Sequence, residues 1–444
     1  MKNSIEILGK LGIKVPEILL PAEQNIMDKW AVIACDQYSS QQDYWEKVAE
    51  FTEDTPTTLN LVYPECYLEE DNPEKRIESI NRNMHDYVES GVFSEPEEGF
   101  ILVKRDTPVS ASRWGLIASI DLEQYDFSSD STSLVRATEG TIIERIPPRV
   151  KIRENAELEL PHIMVLIDDP EMSLIEPFIE ETDNLDSVYD FELMMGSGHL
   201  SGYRIKSDKH IARIAEALAI LGSTETMKAK YNSDNAFLFA MGDGNHSLAT
   251  AKTIWENYKK ENVDSAELMT HPSRWALVEL VNIYSEGIQF EAIHRAVFNC
   301  SPADFLNKAE VSGKFRITEK ESLDEVMKIT DSSPELQTCG YSTANGYGII
   351  ESLSPDTSIA AGTFQNFIDE YLSENPASSV DYIHGVDVTD ELGRKPSNIG
   401  LFLPAIAKNT FFQTVIDDGA FPRKTFSMGE AFEKRFYVEA RKIK

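Results

Sequence analysis

Residues 242–247 read Gly-Asp-Gly-Asn-His-Ser, set between the apolar run 236–241 and a stretch of helix formers, 248–260. A strand that turns on glycine into a helix leaves first-turn N–H groups without intrahelical acceptors and aims them at one point, together with the positive end of the helix dipole. Such a point holds anions, phosphates above all, with a contribution of about 0.3–1 kcal/mol that rises to ~2 kcal/mol when partly buried. Gly242 and Gly244 permit close approach of a ligand and a positive φ. Asn245, His246 and Ser247 add donors, and Asp243 adds a carboxylate that either accepts a proton or coordinates Mg²⁺. The stretch has neither the Gly-Lys-Ser/Thr of a Walker loop nor the G-x-G-x-x-G spacing of a dinucleotide turn. Alone, it also suits an ordinary capped helix of an α/β protein.

Three other groups of residues carry suitable charge. Pro-Arg-Lys-Thr-Phe-Ser at 422–427 gathers Arg423, Lys424 and the hydroxyls of Thr425 and Ser427; it is apt for phosphate, or is an exposed basic turn. His294-Arg295 closes an apolar stretch and is either a cationic site or a strand end paired with Glu291. Between Arg136 and Arg153, five cations fall within 18 residues, and the competing reading is an exposed strand of alternating charge. Eight histidines show no H-E-x-x-H or other zinc spacing.

The elements that must hold these residues follow from periodicity and punctuation. A turn at 71–73 precedes a helix over 74–90; 100–103, 114–120 and 162–167 read as strands, and 208–221 as a helix stopped by Gly222. Strand 236–241, turn 242–247 and helix 248–260 succeed one another without spare residues, and 275–284 is a further strand. From about 299 the pattern shifts to helix 301–310, with Ser301 as N-cap and Pro302 at the first helical position, then strand 314–318, helix 322–329 and strand 346–353. The expected fold is α/β, mixed with α+β. A main body, 1–298, carries the glycine turn; an α+β unit, 299–380, is inserted; and 381–444, with strands at 381–384 and 399–402 and a helix at 405–415, returns to the main body.

The 444 residues include 42 Lys+Arg against 75 Asp+Glu, a formal charge of −33, with 41% hydrophobic residues. That hydrophobic content excludes a disordered acidic chain, and the charge disfavours nucleic acid as a partner. Lys2, Glu6, Lys10 and Lys14 interrupt any apolar leader. The late apolar stretch 399–407 contains Pro404 and is far short of the about 20 residues of a membrane helix. Cys35, Cys66, Cys300 and Cys339 are too scattered for a zinc knuckle or a disulfide scaffold. A cytoplasmic protein with a small-molecule substrate, and with neither nucleic acid nor membrane as partner, is expected.

Gly-Asp-Gly-Asn-His-Ser-Leu-Ala-Thr-Ala at 242–251 resembles the Asp-Gly-His-His-Arg-Tyr-x-x-Ala box of the domain of unknown function 1015 family. Further stretches resemble that family in the same order: the apolar run from Ala276 followed by His294-Arg295, Asp-Tyr-Ile-His ending at His384, and Phe-Pro-Arg-Lys-Thr-Phe-Ser at 421–427. Asp36 stands where the family has a Pro-Pro-Tyr-Asp-type segment. Glu139 and Thr141 keep its Glu-x-Thr pattern, with Thr138 in place of its His. The glycine box is also similar to that of the ParB/sulfiredoxin-like superfamily, one branch of which contains free-serine kinases. Asn245 stands where sulfiredoxin has its Cys, which excludes that chemistry, and Ser247 replaces the family's Arg.

The resemblance implies a ParB/sulfiredoxin-like core and a phosphotransferase, moving a phosphoryl group from ATP, ADP or pyrophosphate to a small hydroxyl metabolite, by analogy free L-serine. Glu139 (as base), Asp243 (through Mg²⁺) and His246 are the candidate catalytic residues. Gly242, Gly244, Asn245, Ser247, His294, Arg295, Arg423, Lys424 and Thr425 are the candidate donor-binding set, with Arg295, Arg423 and Lys424 standing in for the missing Arg. Asp36, Thr141, Arg145 and His384 are candidates for binding the acceptor. Two other readings compete: a nucleotide-binding regulator without turnover, suggested by Ser247, and a metal-assisted phosphohydrolase built on Asp243.

Overall fold

A computed structural model describes residues 2–70, 72–332 and 336–444; Asp71, in the turn expected before the helix at 74–90, lies outside them. The chain is mixed α/β and divides into two compact units, Met1–Ile288 with Gly429–Lys444, and Gln289–Met428.

Among the described residues, the first unit is built on a ten-stranded mixed sheet. Its order is Asp186–Glu192, His199–Ile205, Phe100–Asp106, Arg113–Asp121, Trp275–Asn282, Met164–Ile167, Phe239–Asp243, Val135–Arg136 and Tyr125–Asp126, with Ile13–Lys14 pairing Arg113–Asp121. The inner strands are apolar on both faces because each face is covered. Phe100 and Leu102 enter one core, which also receives helices Lys2–Lys10, Asp208–Leu221 and Asn245–Glu261. Ile101 and Val103 enter a second core with Trp30, Trp45 and Tyr437. The same alternation in Trp275–Asn282 sends Ala276, Val278 and Leu280 to the first core and Leu277 to the second. Glu279, wholly buried, therefore shares the face of Leu277, and a carboxylate in that position requires cations.

Among the described residues, the second unit is built on a seven-stranded antiparallel sheet ordered Phe315–Lys320, Gly346–Ser352, Thr338–Thr343, Asn398–Phe402, Phe290–Phe298 and Ser379–His384, with Phe426–Met428 beside the start of Phe290–Phe298. Helices Pro302–Val311 and Ala360–Glu374 pack Phe305, Phe364 and Phe367 into its main core. The expected boundaries at 298/299 and 380/381 would cut this sheet. Phe290–Phe298 pairs with both Ser379–His384 and Asn398–Phe402, so residues flanking 299–380 belong to the same unit. The Ser301-Pro302 cap marks a helix start inside the unit, not its edge. Of the segment 381–444, Gly429–Lys444 belongs with the first unit. The helix expected over 405–415 starts only at Phe411, after the 3₁₀ turn Lys408–Thr410, because its apolar stripe begins with Phe411 and Phe412.

His294, in Phe290–Phe298, is buried and its Nδ1 accepts from Leu403 N at 3.1 Å. Burial, reinforced by Arg295 and His384, pushes the imidazole down to about 4. The unfolded chain takes up the proton near pH 6.5 and the folded chain refuses it. Stability from this site is full above about pH 6.5 and falls as the pH drops toward 4. In urea unfolding followed by circular dichroism, the wild type should lose about 2 kcal/mol more between pH 7 and pH 5 than His294→Gln. Equal losses in the two proteins would show that His294 does not titrate as its burial demands.

Candidate functional site

In the first unit, strand Phe239–Asp243 runs to Gly244 (φ +82°), and helix Asn245–Glu261 starts at the next residue. The turn is one residue long. Gly242 and Asp243 are still strand, while Asn245, His246 and Ser247 are already helix, where a six-residue turn was expected. Leu248 N donates to Gly244 O at 3.0 Å as the first bond of the helical ladder, so the N–H groups of Asn245 and Ser247 lie outside it. A Cβ on Gly244 would stand 3.1 Å from Ile163 Cα, so both φ and space require glycine there.

Asp243 Oδ1 accepts from Gly244 N at 2.9 Å, and Oδ2 lies 3.3 Å from Lys434 Nζ. Burial pushes the carboxyl up, but Lys434, His162 and the Gly244 N–H outweigh it and hold the group below the ordinary carboxylate range. The ion pair is therefore intact at neutral pH. Its contribution to stability is present above the ordinary carboxylate pKa of about 3.9 and is lost as the pH falls through the lowered value. On the next turn of the chain, Ser247 Oγ is 2.7 Å from His162 Nε2. His162 Nδ1 is 3.0 Å from the Tyr437 hydroxyl, which accepts from Cys35 N at 3.1 Å. Burial, with Cys35 adjacent, keeps the Tyr437 phenol neutral by raising it well above its usual value. Burial also pushes the Cys35 thiol up to about 12, which makes it a poor nucleophile.

The segment after Val135–Arg136 lies along the same turn. Thr138 Oγ1 donates to Met241 O at 2.6 Å, and Ile142 N donates to His246 Nε2 at 3.4 Å. Glu139 and Thr141 are carried between these two anchors. Thr141 Oγ1 and Asn245 Oδ1 are buried oxygens without a hydrogen-bond partner among the described residues. A cavity of about 140 Å³ adjoins His162, Ser247 and Tyr437, and the Glu65–Arg149 ion pair also lines it.

One buried network sets the C-terminal half of the site. Arg435 donates to Glu279 Oε2 at 2.6 Å and to Pro161 O at 3.0 Å, and it pairs with Glu439. Arg113 approaches the other oxygen of Glu279 at 3.4 Å. Desolvation opposes the charge of both groups, but their partners outweigh it: Arg435 is raised and Glu279 lowered, so both stay ionised. A Cβ on Gly115 would run into the Glu279 carboxylate, which explains the glycine in the neighbouring strand. Arg435 thus fixes the backbone before His162 and places its own neighbours, Lys434 on Asp243 and Tyr437 on His162.

Of the expected site residues, Glu139, Thr141 and the whole of 242–247 come together. Asp36 is half-buried beside Cys35 and accepts from Gln37 at 3.0 Å. Arg145 is exposed, and its carbonyl accepts from Arg149 at 2.9 Å. His294, Arg295, His384, Arg423, Lys424 and Thr425 belong to the second unit. The structure contradicts a phosphate clamp at Arg295. Its guanidinium is wholly buried, donates to Gln365 Oε1 at 2.8 Å and Ile293 O at 2.6 Å, and stacks on Tyr382; burial pushes it down to about 10. His294 likewise serves its own unit's backbone. Arg423 and Lys424 are exposed on a turn held by Thr425 Oγ1 donating to Pro422 O at 2.6 Å, and His384 pairs with Glu291 at 2.6 Å. Asp243 would offer a Mg²⁺ ion one carboxylate beside the donor phosphates and no protein-built cage. Both its oxygens are engaged, and among the described residues it belongs to no group of three or more potential ligands. Sequence reasoning missed His162, Lys434 and Tyr437. His162 reads as the start of an apolar run, and the single hint to Lys434 is a Lys-Arg pair in a charged tail.

The chain belongs to the family described as "Protein of unknown function (DUF1015)", whose model matches residues 18–371. No curated protein matches it. Among solved structures, a mutant free serine kinase in complex with AMP is similar at a TM-score of 0.40 and 9% identity, over 76% of this chain and 95% of that one. A conserved hypothetical protein from Pyrococcus furiosus follows at 0.36 and 9%, over 74% and 95%. C-terminally truncated SbnI from Staphylococcus aureus stands at 0.32 and 9%, over 72% and 82%.

Two substitutions test this geometry by urea unfolding followed through tryptophan fluorescence, since all five tryptophans lie in the first unit. Gly244→Ala should cost about 1–3 kcal/mol, because the left-handed backbone and the contact with Ile163 both oppose a side chain. Glu279→Gln should cost about 3–5 kcal/mol by leaving Arg435 and Arg113 undercompensated in the interior. A loss below 1 kcal/mol at Glu279 would show that the network does not hold the C-terminal segment.

Proposed function

We propose that this chain is a phosphotransferase that holds the terminal phosphates of a nucleotide or pyrophosphate at the Gly244 turn and passes a phosphoryl group to a small hydroxyl metabolite. The observation that carries the reading is the junction itself. A buried strand opens through one left-handed glycine into a 17-residue helix, beside a carboxylate already neutralised by Lys434 at 3.3 Å. Asp243 alone would repel a phosphate, but paired with Lys434 it leaves the helix start with a net attraction for anions. Lys434 takes the part first given to Arg295, with no step drawn through a protein-bound metal.

The acceptor side is assigned to Ser247 and His162, and the base is taken as His162 in place of Glu139 because His162 lines the adjoining cavity. In the transfer, the acceptor oxygen bonds to the terminal phosphorus as the bridging P–O bond breaks, and its electron pair leaves on the shortened donor. The acceptor proton moves to Ser247 Oγ while the Ser247 proton moves to His162 Nε2. Tyr437 holds the ring and stays neutral throughout. The Asp243–Lys434 pair also suits a second reading, a regulator that binds nucleotide without turnover, since it neutralises the turn without supplying a metal site.

Titration calorimetry with ATP, ADP and pyrophosphate, followed by turnover with a panel of hydroxyl metabolites, tests the proposal. Lys434→Ala should weaken donor binding about tenfold or more. His162→Gln should lower kcat about 10²- to 10⁴-fold with donor affinity unchanged. Donor binding without product in the wild type would favour the regulator. Donor binding indifferent to Lys434 would remove the turn as the phosphate site.

A further inference from the structure

Protein interiors are packed to crystal density and keep few voids larger than a water. The pocket of about 140 Å³ beside Ser247, open to the surface on one side, interrupts that packing. Leu61, Ile80, Met84, Leu158 and Leu277 form its walls, none more than 4% exposed. His162, Ser247 and Tyr437 form one polar end, and Glu65 and Arg149, with side chains 21% and 18% exposed, reach it from the surface side. The paired Arg153 and Glu159 also line it and keep its rim polar; the apolar wall offers water no hydrogen-bond partner, and an apolar space of roughly 150 Å³ takes a benzene-sized guest. Apolar walls with a few converging polar groups are the usual make-up of a small-molecule site.

We propose that this cavity receives the apolar arm of the molecule whose hydroxyl meets Ser247 and His162. The acceptor is then a hydroxyl-bearing metabolite with a hydrophobic group about the size of benzene. Free L-serine, with a single methylene, would leave the walls uncovered. The acceptor role rests on the phosphotransferase reading; occupation of the cavity by an apolar group does not.

Benzyl alcohol and L-serine serve as probes in ligand-observed NMR on the full chain, with ATP affinity measured separately by calorimetry. Benzyl alcohol should bind at least about tenfold more tightly than serine, because its ring leaves water for the cavity. Ala156→Leu and Ile152→Phe each enlarge a wall residue, and either should weaken benzyl alcohol about tenfold with ATP affinity unchanged. Two variants are used so that a failure of one to fold does not decide the matter. No binding of benzyl alcohol, or binding undiminished in a folded filled variant, overturns the cavity assignment; ATP binding sensitive to Lys434 would then leave the phosphotransferase reading standing. Benzyl alcohol binding without any donor binding retains the apolar site and overturns its role as an acceptor site.

Discussion

A guanidinium and a carboxylate inside an apolar interior are tolerable only while they meet each other, and in the first unit that requirement fixes the path of the last sixteen residues. Arg435 reaches Glu279 in a central strand, Glu439 in its own segment and the carbonyl of Pro161. Glu279 and Pro161 lie far away in sequence, while Glu439 is four residues on. The segment cannot slide by one residue without separating Arg435 from Glu279 and Pro161, and a slide would also take Lys434 from Asp243 and Tyr437 from His162. Buried ion pairs are weak as net stabilisers but strict about geometry. Here that strictness supplies a precise position, which a site assembled from three distant segments needs more than it needs stability.

The glycine turn depends on the same logic at shorter range. A strand buried on both faces can end abruptly only if its last carbonyls and the following amides find partners or open onto a ligand. Thr138 takes the carbonyl of Met241, Asp243 takes the amide of Gly244, and the helix begins at once. The abruptness concentrates the helix dipole beside Asp243. It also explains how Ser247, in place of a family Arg, is compatible with an anion site. The cation comes from Lys434, at the other end of the chain, and Ser247 is left to face His162.

Much of the first unit's layout was legible in the sequence because period and punctuation agree. Helix Asp208–Leu221 carries its apolar stripe and ends at Gly222, and the strand before the glycine turn is continuously apolar. The edge strand Asp186–Glu192 and its inner neighbour His199–Ile205 escaped: in the first, exposed Asp, Ser and Glu mask an alternation carried by Tyr189 and Phe191, and in the second, Ser201, Gly202 and Arg204 break any apolar run. The unit boundary was misplaced because a helix-capping signal says where a helix starts and nothing about which sheet the preceding strand joins. In the site, the contiguous half was readable from residue types at short spacing. The other half was not, because pairings such as Asp243 with Lys434 or Ser247 with His162 are made by the fold over long separations. Arg295 shows the converse error: a cation beside a histidine reads as functional, yet it is wholly buried and its Nε and Nη1 donate to its own unit's Gln365 and Ile293.

The formal charge of −33 sharpens what the local cations must do. A phosphate-bearing ligand is repelled by such a chain at long range, but at physiological ionic strength charges beyond about 8 Å are largely screened. What remains is the field of the nearest groups. At the Gly244 turn these are Lys434, the half-buried Asp243 it neutralises, and the first amides of a long helix. Replace Lys434 by a neutral residue and the same turn faces the ligand with an unpaired carboxylate, so the sign of the local field reverses. On the proposed reading, an acidic protein holds an anion at this turn because a buried arginine network delivers a lysine to it. Selectivity for the turn over the rest of the surface follows from that delivery, not from the overall charge.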